Sequence, residues 1–144
     1  MSKANFNIKD SGKRREFQTG SKRDVIEGKP RPALIPPSIL VKLAMHYGNG
    51  AIKYGDSNWK LGQNIMTYVD SAKRHNLAWR CGLTDEPHRI AEIWNLIAIE
   101  WTLDAIKHGL VPPELDDRPP EEQDNNQWGK ELYESIYGSS EDKT

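Results

Sequence analysis

The stretch DEPHRIAEIWNLIAIEWTLD, Asp85 to Asp104, decides the fold because its pattern predicts one long helix. Asp85 is placed to cap this helix, and Pro87 suits a first turn, where a missing N–H costs nothing. At about 100° per residue, four side chains fall on one narrow line along the helix. These are His88, Glu92, Asn95 and Ile99.

The other side of this helix is apolar, and it carries Ile90, Trp94, Ile97, Trp101 and Ala105. Leu96 and Ala91 flank the polar line, so its ionisable groups have apolar neighbours. Desolvating an unpaired carboxylate is very costly, so the line needs a metal ion, a ligand or a closed hydrogen-bond network. A helix with one satisfied Glu–His pair in its core is the alternative, and this helix alone leaves both open.

Two further core helices are predicted, so the fold class is all-α. PSILVKLAMHY, Pro37 to Tyr47, begins at a proline and should end at the glycines that follow it. The next helix runs from about Ile65 to Trp79, and its apolar face holds Ile65, Tyr68, Ala72 and Trp79. A short connection joins it to the central helix, so we expect these two helices to pack antiparallel.

Antiparallel packing would bring His75 towards the start of the central helix. A cluster of His75, Asp85, His88 and Glu92 is therefore plausible in space. Its mixed nitrogen and oxygen ligands would accept Mn, Co or Zn as well as Mg.

The N-terminal region is basic and should not be helical. Residues 1 to about 18 are expected to form a flexible arm. Thr19 to Pro37, TGSKRDVIEGKPRPALIPP, is rich in glycine and proline, which oppose a regular helix. We expect an ordered basic loop that lays Arg23, Lys29 and Arg31 along a surface; a basic connector without a ligand is the alternative.

The loop KYGDSNW gathers an aromatic ring, an amide and a cation in Lys53, Asn58 and Trp59. A ring can stack on a base, an amide can bind its edge, and a lysine can bind phosphate. An ordinary anchored loop has the same composition, and spacing alone does not decide between the two.

Composition limits the class of protein. The chain has 144 residues, 28% of them charged, and a mean hydropathy of -0.78, which favours one soluble domain. No apolar run approaches the ~20 residues that span a bilayer, and no signal peptide is evident, so a cytoplasmic location is expected. The net charge of -1 argues against binding to long nucleic acid. The single Cys81 excludes an internal disulfide.

The C-terminal part is acidic and should be extended, because VPPELDDRPPEEQDNN combines prolines with acids. WGKELYESIYG should form a short helix that docks on the core or on another subunit. The predicted organisation is an arm at 1–18, a catalytic helical domain at 19–110 and this tail at 111–144.

Five blocks in order resemble the phage dATP/dGTP diphosphohydrolases, the MazZ-type enzymes. They are TGSKRD at Thr19–Asp24, GKPRPALIPP at Gly28–Pro37, KYGDSNW at Lys53–Trp59, AKRHNLAW at Ala72–Trp79 and DEPHRIAEIWN at Asp85–Asn95. The resemblance implies a small all-α bundle of the MazG-like nucleoside triphosphate pyrophosphohydrolases. It also implies cleavage of dGTP, and often dATP, to the monophosphate and pyrophosphate with divalent metal. In some phages the dGMP supplies synthesis of 2-aminoadenine nucleotides.

The chain departs from the wider superfamily, which holds metal with an ExxE on one helix and an ExxD on the next. Glu92 to Asn95 corresponds to the second motif as an ExxN, whereas Ala72 and His75 stand at the place of the first. Histidines or the nucleotide phosphates would then complete the metal site.

The resulting hypothesis is metal-assisted hydrolysis at the α-phosphate. Glu92 and His88 are the candidate catalytic residues, and the candidate ligands for Mg, Mn or Co are Glu92, His88, Asp85, His75 and Asn95. The candidate substrate-binding residues are Arg23, Lys29, Arg31, Lys53 and Lys73 for phosphate, and Asn58 and Trp59 for the base.

Two rival functions remain at this stage. An HD-type dNTP triphosphohydrolase would also be helical and metal-dependent, but the chain has no adjacent His-Asp pair. A non-catalytic helical phage accessory protein would bind a nucleotide or a host factor and keep its polar line as structure. The resemblance to small MazG-like chains, which usually assemble, also implies a homo-oligomer, in which a shared bundle would cover the apolar face of Trp94, Ile97 and Trp101.

Overall fold

The structure, a computed structural model, describes residues 9–138. The chain forms two compact units, and the boundary between them lies at Pro36 and Pro37. None of the helices among the described residues has the length and apolar character that crossing a bilayer requires. The first eight residues of the predicted arm lie outside the described residues.

The first unit contains a two-stranded antiparallel hairpin of Arg14–Glu16 (β1) and Lys22–Asp24 (β2). Asp24 holds this unit together, since its carboxylate accepts from the Ser11 hydroxyl and from Lys29 Nζ at 3.1 Å. These hydrogen bonds, Ser11 first, lower the pKa of Asp24 to about 2. Residues 14–16, which belong to the segment expected to be a flexible arm, form strand β1 of this hairpin.

The second unit confirms the all-α class. Its helices are Pro37–Tyr54 (α1), Ile65–Arg80 (α2), His88–Lys107 (α3) and Gln127–Tyr137 (α4). Short 3-10 turns connect them at Asn58–Leu61, Pro113–Leu115 and Pro120–Glu122.

The predicted end of α1 at its glycines is wrong, because the helix continues through Gly48 and Gly50 to Tyr54. A glycine inside a helix costs about 1 kcal/mol relative to alanine, which weakens a helix without ending it. Neither glycine has a positive φ, whereas Gly55, with a φ of 91°, ends the helix. The continuation places Lys53 on α1 rather than on turn backbone.

The close packing of α2 against α3, here called the α2–α3 seam, forms the core. Apart from Ile90, the buried α3 residues recur every three or four positions, and most are small: His88, Ala91, Asn95, Ala98, Thr102 and Ala105. They face Ile65, Tyr68 and Ala72 of α2. Small side chains at this spacing let two helices approach closely along one stripe. The prediction of a polar line among apolar neighbours is confirmed for His88 and Asn95.

Three tryptophans differ from their predicted positions. Trp79 is 49% exposed, and the Arg89 guanidinium lies 4.2 Å from its ring centroid. Trp94 and Trp101, assigned to a subunit interface, pack instead within the chain. Trp94 lies 6.0 Å from the Tyr47 ring, and Trp101 lies 4.9 Å from Trp59. His46 and Tyr47 of α1 contact Trp94, and Trp59 of the turn after α1 contacts Trp101.

The segment after α3 packs against the start of α2. Val111 is buried. The Leu115 side chain lies so close to the Gly62 backbone that a Cβ at position 62 would be 2.6 Å from Leu115 Cδ1. Asp117 accepts from the Met66 N–H at 2.9 Å and from Asn64 Nδ2 at 3.2 Å. A carboxylate at this position satisfies a free N–H and interacts favourably with the helix dipole.

Replacing Asp117 with alanine should lower the melting temperature at neutral pH, because α2 loses this cap. The Met66 N–H and then Asn64 hold the pKa of Asp117 below its ordinary value of 3.8. A carboxyl whose pKa is lowered by folding stabilises the protein above the unfolded pKa, and this stabilisation disappears as pH falls through the folded pKa. The difference between variant and wild type should therefore shrink below pH 3.8 in thermal melts followed by circular dichroism.

Glu114→Ala is the matched control, since this exposed acid in the same segment makes no side-chain hydrogen bond among the described residues. Equal melting temperatures for Asp117→Ala and Glu114→Ala at neutral pH would contradict the capping role.

Candidate functional site

Two clefts adjoin α2 and α3 and share no lining residue. The first, here called the α1 cleft, has a volume of about 680 Å³ and is bounded by α1, the turn at Asn58–Leu61, α2 and α3. The second, here called the Glu92 cleft, has a volume of about 520 Å³ and lies between α2 and α3. Both fall within the range of roughly 300–1,000 Å³ that small-molecule sites occupy.

The α1 cleft combines cations, amides and aromatic rings. Lys53 and Arg74 supply positive charge, and Tyr47 and Trp94 supply aromatic walls. His46 also lines the cleft, and burial, followed by the nearby His75, lowers its pKa. Such a surface suits an anionic ligand that carries a flat ring.

His75, Glu86 and His88 form a three-residue group beside this cleft, here called the His–Glu–His group. The Nδ1 atoms of His75 and His88 are 3.0 Å apart, and Glu86 Oε1 lies 3.7 and 3.5 Å from them. Metal–ligand bonds of about 2.1 Å in a tetrahedral site separate neighbouring ligand atoms by roughly 3.4 Å. The spacing and the two imidazoles with one carboxylate therefore fit a single divalent ion.

Three elements position this group. His75 lies in the third turn of α2, His88 is the first residue of α3, and Glu86 lies in the connection between them. Because α2 and α3 pack antiparallel, the end of one helix meets the beginning of the other. Gly82, with a φ of 80°, lets the connecting chain turn tightly.

Asp85 does not cap α3 as predicted, because Pro87 is the N-cap residue and no side chain caps it. Its carboxylate instead lies 2.8 Å from His88 Nε2, and this hydrogen bond lowers the pKa of Asp85. A ligating histidine ordinarily donates its other ring N–H to such a carboxylate, which fixes the tautomer and the ring orientation. With Nε2 protonated, the His88 Nδ1 lone pair is directed towards His75 and Glu86.

Glu92 lies apart from the His–Glu–His group. Asn76 Nδ2 donates to its two carboxylate oxygens at 3.1 and 3.4 Å, and the side chain lines the Glu92 cleft with Lys73. From the sequence, Glu92 was predicted to lie in one cluster with His75 and His88. The structure brings His75, His88 and Asp85 together and puts Glu92 and Lys73 at the other cleft.

Asn95 also lies beyond the His–Glu–His group. It lies seven positions after His88 on α3, which corresponds to about 10.5 Å along the helix axis. Its side chain is buried, lines the α1 cleft and donates from Nδ2 to the Ala91 carbonyl at 2.8 Å.

The loop residues predicted for the base do line the α1 cleft. Asn58 and Trp59 are half-buried there, and Trp59 packs edge-on against Trp101. Lys53 is exposed on the same cleft, with Nζ 5.0 Å from the Tyr54 ring centroid.

Arg23, Lys29 and Arg31 belong to the first unit, and their role in binding phosphate stays a prediction. Lys29 is paired with Asp24 there, while Arg23 lies on β2, opposite Arg15.

Two residues that line or adjoin the α1 cleft were missed from the sequence. Glu86 stands next to Asp85, and the sequence gives no reason to choose the second acid over the first. Arg74, an exposed residue of α2, also lines the cleft. Its position next to His75 was the available signal.

The fold and the site together define a class: small helical proteins with a candidate divalent-cation site beside a cleft that suits an anionic, ring-bearing ligand. A family model described as dATP/dGTP diphosphohydrolase, N-terminal, matches residues 19–110. The chain belongs to this dATP/dGTP diphosphohydrolase family. The match includes every residue of the His–Glu–His group and of the α1 cleft. Comparison with curated proteins and with solved structures gives no match.

Replacing Asp85 with asparagine should weaken binding of Mn²⁺ by roughly 10- to 100-fold, as loss of an outer-shell carboxylate typically does. The variant keeps the size of the side chain but loses the charge that orients His88. Isothermal titration with Mn²⁺ measures the affinity directly, without any turnover. Asp104→Asn, an exposed acid on α3, is the control, and equal affinities for the two variants would contradict the role of Asp85.

Proposed function

We propose that the chain hydrolyses dGTP and dATP to the deoxynucleoside monophosphate and pyrophosphate, with a divalent metal bound by His75, Glu86 and His88. The observation that supports this proposal most directly is the position of the His–Glu–His group beside the α1 cleft, whose lining includes Lys53 and Arg74. Family membership supports the general activity. The metal dependence, the site and the precise products are part of the proposal.

In this proposal each side chain has a defined task. His75, Glu86 and His88 hold the ion, and Asp85 keeps His88 in the tautomer that leaves Nδ1 free. A divalent ion in such a site neutralises triphosphate charge and lowers the pKa of a bound water. Lys53 and Arg74 bind the phosphates that leave, because positioning and charge neutralisation carry most of phosphoryl-group catalysis.

The reaction consumes one water and breaks the bond between the α-phosphorus and the oxygen that bridges to the β-phosphorus. The monophosphate retains the base and the sugar, and pyrophosphate leaves. Asn58 and Trp59 are positioned to contact the nucleoside part, since both line the same cleft as Lys53. A supply of dGMP for 2-aminoadenine nucleotide synthesis stays a prediction.

Glu86→Gln should reduce metal-dependent turnover of dGTP at least roughly tenfold, because it removes the only carboxylate of the His–Glu–His group. Glu92→Gln should have a smaller effect, since Glu92 lies in the other cleft and its amide can still bond Asn76. Activity is measured by chromatography of the nucleotide products with Mg²⁺, Mn²⁺ or Co²⁺.

The comparison of these two variants locates the chemistry. A larger loss in Glu92→Gln would move the catalytic site to the Glu92 cleft, as the sequence pattern first indicated. The products distinguish the rival functions: a nucleoside with triphosphate indicates an HD-type activity, and no product with any dNTP and metal indicates a binding protein.

We further infer that two copies of the chain associate through α1. None of the residues of α1 is fully buried, and Val41, Met45 and Ile52 are 59%, 64% and 88% exposed on one line of the helix. Ala44 and Gly48 lie between them, so this stripe is apolar and small enough for close helix packing. The stripe takes the place of the predicted interface at Trp94 and Trp101.

Sedimentation should show a species larger than the 16.4 kDa chain, and Met45→Lys should shift it towards the monomer, because a charge would then enter the interface. Lys42→Glu, a charge change at an exposed position already charged, is the control. A wild-type protein that sediments only as a monomer would contradict this association.

A further inference from the structure

Asn95 has a buried side chain with one acceptor that no described residue uses. The residue is 5% exposed and lines the α1 cleft. Its Nδ2 donates to the Ala91 carbonyl, and no donor among residues 9–138 bonds its Oδ1. An acceptor on a side chain with so little access to bulk water favours a ligand or a bound water as its partner.

The orientation of the amide follows from that hydrogen bond. A backbone carbonyl can only accept, so the nitrogen must be the atom that faces Ala91. The oxygen is then the atom on the other side. It is not among the fully buried atoms that lack a partner in the described part of the chain, so it opens to the cleft.

One stripe of α3 carries both His88 of the His–Glu–His group and Asn95 of the α1 cleft. His88, Ala91 and Asn95 lie on the same side of the helix and are all buried. Two turns, about 10.5 Å, separate the first from the last, which is comparable to the span from an α-phosphate to the far edge of its base. Ala91, between them, has the smallest side chain and leaves room for a sugar.

The walls near Asn95 suit a flat ring. Trp94 precedes it on α3, and Tyr47 lies 6.0 Å from the Trp94 ring centroid. Aromatic side chains stack on bases whatever the sequence, so a separate polar contact must supply the choice of base. A buried acceptor that binds an N–H group rejects analogues that lack it.

We propose that Asn95 determines base specificity: its Oδ1 accepts a hydrogen bond from the amino edge of the purine, the 6-amino group of adenine or the N1–H and 2-amino group of guanine. This assignment rests on the proposed function. It replaces the predicted role of Asn95 as a metal ligand.

The first test uses the wild-type protein with nucleotides that cannot be turned over. Titration calorimetry with Mn²⁺ present compares dAMP with 2′-deoxynebularine monophosphate, which lacks the amino group of adenine, and with 2′,3′-dideoxyAMP. Loss of the amino group should weaken binding about tenfold or more, and loss of the 3′-hydroxyl should have little effect. Equal affinities for dAMP and the nebularine nucleotide, or a loss confined to the dideoxy analogue, would overturn the assignment.

The second test asks whether Asn95 is the group responsible. Asn95→Leu should raise KM for dATP and dGTP at least tenfold with a smaller change in kcat, and should abolish the preference for dAMP over the nebularine nucleotide. Thr102→Val is the matched control, because Thr102 is equally buried on α3 and donates to the carbonyl four residues earlier, as Asn95 does. Binding of inorganic tripolyphosphate should be unchanged in both variants.

The outcomes separate the two proposals. If the wild-type protein turns over neither dATP nor dGTP, the proposed hydrolysis is contradicted. The titrations with monophosphates still test the assignment of Asn95 in that case. If a folded Asn95→Leu variant still hydrolyses dATP and still binds dAMP more tightly than the nebularine nucleotide, the assignment of Asn95 is overturned and the proposed hydrolysis is not.

Discussion

The close antiparallel packing of α2 on α3 is the constraint on which the rest of the structure depends. Small residues along the seam, Ala72, Ala91 and Ala98 among them, let the two helices approach closely, and the seam buries His88 and Asn95 with them. A buried imidazole needs partners, and the antiparallel arrangement supplies His75 from the neighbouring helix and Asp85 from the connection. The His–Glu–His group, the candidate metal site, is thus a consequence of how the core packs.

Much of this fold could be predicted from the sequence, because helix periodicity and proline positions are local signals. The bounds of α2 were predicted to within one residue, and its buried face of Ile65, Tyr68 and Ala72 is confirmed. The end of α1 could not be predicted, since glycines weaken a helix without fixing where it stops. The apolar surface was misplaced for a different reason: helix periodicity does not show that Tyr47 packs on Trp94 while Met45, on the same helix, stays exposed.

The candidate site was predictable in composition and less so in geometry. A polar line on an otherwise apolar helix correctly indicated buried His88 and Asn95. Helix periodicity does not specify which side of the α2–α3 seam a side chain extends to. Glu92 extends towards Asn76 and lines the Glu92 cleft rather than the α1 cleft. The choice between Asp85 and Glu86 depends on the backbone path of a short connection, which no spacing rule fixes. Two neighbouring carboxylates therefore contact different atoms of His88: Asp85 lies at Nε2 and Glu86 at Nδ1.

The most direct measurement of the central claim is anomalous X-ray diffraction from crystals soaked in Mn²⁺. The packing of α2 on α3 predicts an anomalous difference peak within bonding distance of His75 Nδ1, His88 Nδ1 and the Glu86 carboxylate. A peak beside Glu92, with the His–Glu–His group left as an internal hydrogen-bonded cluster, would contradict the account.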